Sequence, residues 1–158
     1  MKKILLTFMA VITAALCLTG CGSSEKSKED LNKEANSLYK AASAALVDLD
    51  AQGCKFPKDR YFIDSDMNVV CESDKDSAAS VKSKLSGFIT AAKTYAKDSV
   101  DIDGMKWILV CRKNDVEQVY IAEAKNTKTI GTYPDSIKID SSLNFERLIV
   151  DLEGSRAQ

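Results

Sequence analysis

"LNKEANSLYKAASAALVDLD", residues 31–50, decides how the rest of the chain must be arranged. Leu31, Ala35, Leu38, Ala42, Ala45, Leu46 and Leu49 recur at steps of three and four, which puts one apolar stripe along a helix. Much of the stripe is alanine, so it is narrow and lets the helix lie close to its neighbour. Gly53 is a natural stop. A helix over residues 28–52 would be a rod of roughly 36 Å at about 1.5 Å per residue.

C-terminal to the rod, "RYFID" (60–64) and "NVVCE" (68–72) are short β-prone runs around Ser65-Asp66-Met67, the pattern of a hairpin. "SDKDSAAS" then opens a second helix. Val81, Leu85, Phe88, Ile89, Ala92 and Tyr95 supply its apolar face, and Lys82, Lys84, Lys93 and Lys97 its polar one. In "MKWILVCR" (105–112), Met105, Trp107, Leu109 and Cys111 share one face while Ile108 and Val110 make the other apolar too. That predicts a central strand covered on both sides. "KNDV" is a turn, and "EQVYIAEA" (117–124) returns as the antiparallel partner. After a loop, "IGTYP" closes this region. The tail "SSLNFERLIVDLEG" suits a short helix from near Ser142 with Leu148, Ile149 and Leu152 inward, or else a further strand. The expected fold is α+β: a long N-terminal helix on a small antiparallel sheet, with a second helix beside it.

N-terminal to the rod, residues 22–30, "GSSEKSKED", are polar and lack periodicity, as a tether would. Before them lie Met1-Lys2-Lys3 and the apolar run 4–18, the layout of a secretory leader too short to span a bilayer comfortably. Leu18-Thr19-Gly20-Cys21 resembles the bacterial lipobox. That resemblance implies a diacylglyceryl thioether on Cys21, cleavage just before it, and acylation of the new amino terminus with a chain such as palmitate. Two or more acyl chains hold firmly where one does not, at about 0.8 kcal/mol per buried CH₂. The expected organisation is therefore a signal peptide over 1–20, a lipidated tether over 21–30 and one globular domain over 31–158. A secreted protein with a cysteine at its cleavage site, or an uncleaved membrane anchor, are the alternatives.

Taking the 20 leader residues from 158 leaves 138, enough for one domain with a real core. The two leader lysines reduce 22 basic residues to 20 against 23 acidic, a net of −3. Such a balance gives no footing for nucleic acid or a polybasic membrane patch. The chain contains no histidine, which removes Ser-His-Asp and Cys-His catalysis and His-ligated zinc together.

Cys54, Cys71 and Cys111 remain in the domain. A Cys54–Cys71 disulfide would close a loop near 17 residues, worth about 3 kcal/mol in the chain-entropy model. Cys111, on the face with Trp107, is expected as a buried thiol; the alternative is that all three stay reduced. "DSDMNVVCE" (64–72) is a near miss for a calcium loop. Asp64, Asp66 and Asn68 fit positions one, three and five, but Val69 stands at six and Lys75 at twelve. A carboxylate turn explains it better. Ser37-Leu-Tyr-Lys40 matches Ser-x-x-Lys but falls mid-helix, with no Ser-Asp-Asn elsewhere. Trp107 is expected in the core. Tyr133, before Pro134 in a loop, is the aromatic most suited to contact a ligand.

Asn36, Tyr39, Ala41 and Ala42, then Trp107 and Ile130 to Pro134, resemble clostridial type IV pilin-like proteins. Those proteins carry an Asn-x-x-Tyr/Phe-x-Ala-Ala pattern early and Ile-Gly-x-Tyr-Pro late. The match covers roughly residues 31–134 and implies a pilin-like head. The chain departs from pilins at its start, where a lipobox and a polar tether replace the apolar helix that anchors and polymerises them. The resemblances together imply a non-enzymatic binding or assembly-accessory protein without cofactor or metal. It would sit at the extracytoplasmic face of the cell membrane, attached by lipid on Cys21, with an envelope protein as partner and a role near a pilus or secretion machine. A small-molecule or glycan-binding lipoprotein is the alternative.

Overall fold

The computed structural model describes residues 25–72, 75–134 and 144–148. Helix α1 (Lys28–Ala51) is followed by strands β1 (Arg60–Asp64) and β2 (Val69–Cys71), helix α2 (Lys75–Ala96), and strands β3 (Lys106–Arg112), β4 (Asp115–Ala122) and β5 (Gly131–Tyr133). The strands form one antiparallel sheet in the order β2-β1-β3-β4-β5. The fold is α+β as the sequence predicts: a long helix packed on an antiparallel sheet, with a second helix alongside.

Local chemistry sets the ends of α1. Ser27 has extended backbone and its hydroxyl accepts from the Asp30 amide at 3.2 Å, while Glu29 and Asp30 sit in the first turn, where the helix dipole favours negative charge. The helix thus starts inside the segment expected as tether. At the other end Gly53 takes φ +85°, and the amides of Gln52 and Cys54 bond back to the carbonyls of Asp48 and Leu49. All seven stripe positions are buried, and Ala41 joins them.

The sheet divides the core in two. One face, with Tyr61, Ile63, Cys71, Trp107, Leu109, Cys111, Val116, Val119 and Ile121, packs under both helices. α1 lies against β4 and β5, and α2 against β2. Ile108, Val110, Tyr120 and Ala122 face the other way, where Phe145 and Leu148 of a helical turn over 145–148 cover them. The central strand is therefore apolar on both faces because both are covered. Of the tail residues expected to point inward, Leu148 does; Ile149 and Leu152 lie outside the described residues.

Three details differ from the sequence reading. The β3–β4 turn is only Lys113-Asn114, with Lys113 at φ +56°, so β4 begins two residues earlier than expected. A bulge opposite Val110 and Cys111 then absorbs one residue, which is why Val116 and Val119 share a face three residues apart. Tyr95, expected on the apolar face of α2, is 44% exposed, and its hydroxyl bonds to the Asp48 carboxylate on α1. It lies at the edge of the buried stripe that runs on through Ala92 and Ala96.

Candidate functional site

Tyr133, the expected ligand contact, lies in the edge strand β5 rather than in a loop, and it is half-buried. Its ring meets that of Tyr39 on α1 edge-on, centroids 5.0 Å apart at 63°. Two turns towards the helix N-terminus, Asn32 Oδ1 accepts from the Thr132 amide at 2.8 Å. This side chain satisfies a donor on the sheet edge that, among the described residues, no further strand covers. At Gly131 the approach is closer still. A Cβ there would sit 2.3 Å from the Leu31 carbonyl carbon and 2.4 Å from its oxygen, so only glycine admits the helix backbone. Residues 36–42 and 130–134 thus meet along one seam.

The seam is polar along its flank but largely committed to packing. The Tyr39 phenol is pushed up by burial, with the negative charge of Asp115 adding to the effect. Asn36 Oδ1 and, on β5, Thr132 Oγ1 are buried without hydrogen-bond partners among the described residues. The Tyr133–Pro134 peptide bond is cis.

Two concavities lie elsewhere. One, of about 400 Å³, is bounded by Lys93, Lys97, Asp98, Asp101 and Asp103 at the end of α2 and the loop after it. The other, of about 310 Å³, is bounded by Glu25, Glu123, Ala124, Asn126 and Thr127. Neither is lined by an aromatic ring, so the sugar-stacking cleft that a glycan-binding reading needs is not formed by these walls.

The carboxylate turn resolves as a structural feature. Asp64 accepts from the amides of Asp66 at 2.8 Å and Asn68 at 3.0 Å, and from Asn68 Nδ2 at 2.9 Å. Asp66 pairs with Lys106 and with Lys125, which hold its carboxyl below the ordinary range, Lys125 most strongly. All three side chains of the calcium-like pattern are thus engaged by the hairpin and its neighbours. Among the described residues, no group of three or more His, Cys, Asp or Glu is placed to hold a metal ion.

Cys54, Cys71 and Cys111 are thiols, and no disulfide joins Cys54 to Cys71. Cys71 is buried opposite Tyr61, and the preceding loop sends Phe56, not Cys54, into that part of the core, stacked on Tyr61 at 6.0 Å. Cys54 stays at the half-buried rim, tied by its amide to Leu49. Cys111 is fully buried as expected, and burial pushes its thiol pKa up. Cys21 lies outside the described residues. No helix among the described residues is long and apolar enough to cross a membrane. No family model, curated protein or solved structure matches the chain.

Sequence reasoning missed Asn32. A polar residue on a helix flank looks like solvent face, and nothing local shows that a strand edge a hundred residues away needs an acceptor.

Proposed function

We propose that this chain is a lipid-anchored protein of the cell membrane, held at the extracytoplasmic face through Cys21. In this reading the head binds a protein of the cell envelope and does not catalyse a reaction. The class of partner is a pilus or secretion machine, which the pilin-like pattern at Asn36, Tyr39 and Ile130–Pro134 favours. The observation that carries the proposal is the order basic patch, short apolar run, Leu18-Thr19-Gly20-Cys21, polar linker, compact head. The head supports it by spending its best polar candidates on its own architecture. Asn32 satisfies a strand edge, Asp64 closes a hairpin, and Tyr39 and Tyr133 pack on each other.

The test is cross-linking in native membranes followed by purification of the full-length protein, with Cys21→Ser as control. The proposal predicts an envelope protein recovered with the wild type and lost or strongly reduced with Cys21→Ser. Recovery of no protein partner would sink the binding role. Saturable retention on an oligosaccharide or small-molecule ligand would move the assignment to the alternative class.

A further inference from the structure

The chain is attached to the head at Lys26, inside the segment expected as tether. The Lys26 amide donates to Glu123 Oε2 at 2.9 Å, its ammonium pairs with Glu34, and the same nitrogen lies 3.7 Å from Met105 Sδ. Ser27 then caps α1. Residue 26 is thus fixed to the head by contacts to β4's exit, to α1 and to the approach to β3. Only Gly22 to Glu25 separate it from Cys21. Five residue steps of fully extended chain reach at most about 17 Å. α1 has 24 residues and is about 36 Å long.

The tether is therefore shorter than the head is tall. The head cannot turn over to present its far end, near Lys58 and Lys113, to the surface that holds Cys21. Resting on that reading of Cys21, we infer that the end of the domain around Lys26 lies against the phospholipid surface of the anchor's own bilayer. The exposed features of this end suit that contact. The tip of the β1–β2 hairpin presents Met67, an apolar side chain 39% exposed at φ +64°. Beside it Asp66 is bracketed by Lys106 and Lys125, and the exposed Asn126 and Lys128 follow in the β4–β5 loop. A flexible apolar side chain among lysines can sit at a headgroup boundary, where lysine stems cover apolar surface and ammonium groups stay wet. The opposite end, with Lys58 and the Lys113-Asn114 turn, is left for the partner.

The full-length lipidated protein, reconstituted in phosphatidylcholine–phosphatidylglycerol vesicles with nitroxide on a fraction of the headgroups, tests this. Added tryptophans in Met67→Trp, Asn126→Trp and Lys58→Trp report distance to the surface, and the buried Trp107 is common to all. Met67→Trp and Asn126→Trp are expected to lose about half of their added emission, the signature of interfacial contact, and Lys58→Trp none. Quenching of Lys58→Trp as strong as the other two, or quenching of none while the protein floats with the vesicles, overturns the orientation alone. Failure of the wild type to float overturns the anchor, and the orientation with it. Unlinking Lys26 in the double variant Lys26→Ala, Glu123→Gln should weaken the contrast between the two ends.

Discussion

Replacing Gly131 by alanine probes the seat of α1 on the sheet. The added Cβ would lie 2.3, 2.4 and 2.6 Å from the carbonyl carbon, oxygen and Cβ of Leu31. Two of these are backbone atoms of the first helical turns and cannot rotate away. Restoring ordinary contact needs a separation of at least about 3.4 Å, so helix and strand must part by roughly an ångström. Overpacking of this kind costs typically 1–3 kcal/mol, and a backbone obstacle puts it at the upper end, about 3 kcal/mol. The Asn32–Thr132 bond, stretched by the same movement, is worth about 1 kcal/mol more. The expected loss is then about 3–4 kcal/mol, a fall in Tm of roughly 10 °C or more for a domain of this size. Gly87→Ala is the paired control: no heavy atom lies within 4 Å of its Cβ position, and it sits exposed inside α2. It should gain about 0.5–1 kcal/mol by helix propensity. Urea unfolding of the protein measures both. A Gly131→Ala midpoint within error of wild type would refute close packing of helix on strand at the seam.

Burial holds the Tyr61 phenol and the Cys111 thiol above their ordinary values of 10.0 and 9.0. Their contribution is complete below about pH 9 and declines as pH rises and the unfolded chain ionises first; a urea midpoint that stays flat from about pH 8 to 11 would contradict it. On the acid side, burial tends to raise Glu117, but Arg60 and Arg112 outweigh it and hold it below 4.5, so the stability it adds is present above that value and lost as pH falls. Asp64→Ala removes the acceptor for three hairpin donors and should cost about 2–3 kcal/mol; calcium should leave the Tm of the wild type unchanged, and a rise would restore the metal reading. Under native conditions Cys54 should react first with a thiol reagent and Cys111 only on unfolding, and denatured, unreduced protein should take up label at Cys54, Cys71 and Cys111 alike. Labelling of Cys111 alone would show that the Cys54–Cys71 bridge forms.

The long elements were legible because each carries its own period. Leu31 to Leu49 repeat on one helical face, and Trp107, Leu109 and Cys111 alternate against Ile108 and Val110. Short or non-local features were not. β5 has three residues including Gly131, too few for alternation to register, so Tyr133 resembled a loop residue. The contact of Tyr39 with Tyr133 joins positions 94 residues apart, and periodicity carries no information about such pairs. Asp64 was legible as a turn carboxylate because its partners lie within four residues. Tyr95 was misread because the edge of a helical stripe is where a three-residue step and the true burial boundary diverge.

Intact mass spectrometry of the protein extracted from native membranes reads the state of Cys21 itself. The expected species is a chain beginning at Cys21, with mass added by a diacylglyceryl thioether on that residue, and Cys21→Ser should lose membrane retention. A chain beginning elsewhere, or one beginning at an unmodified Cys21, would contradict it.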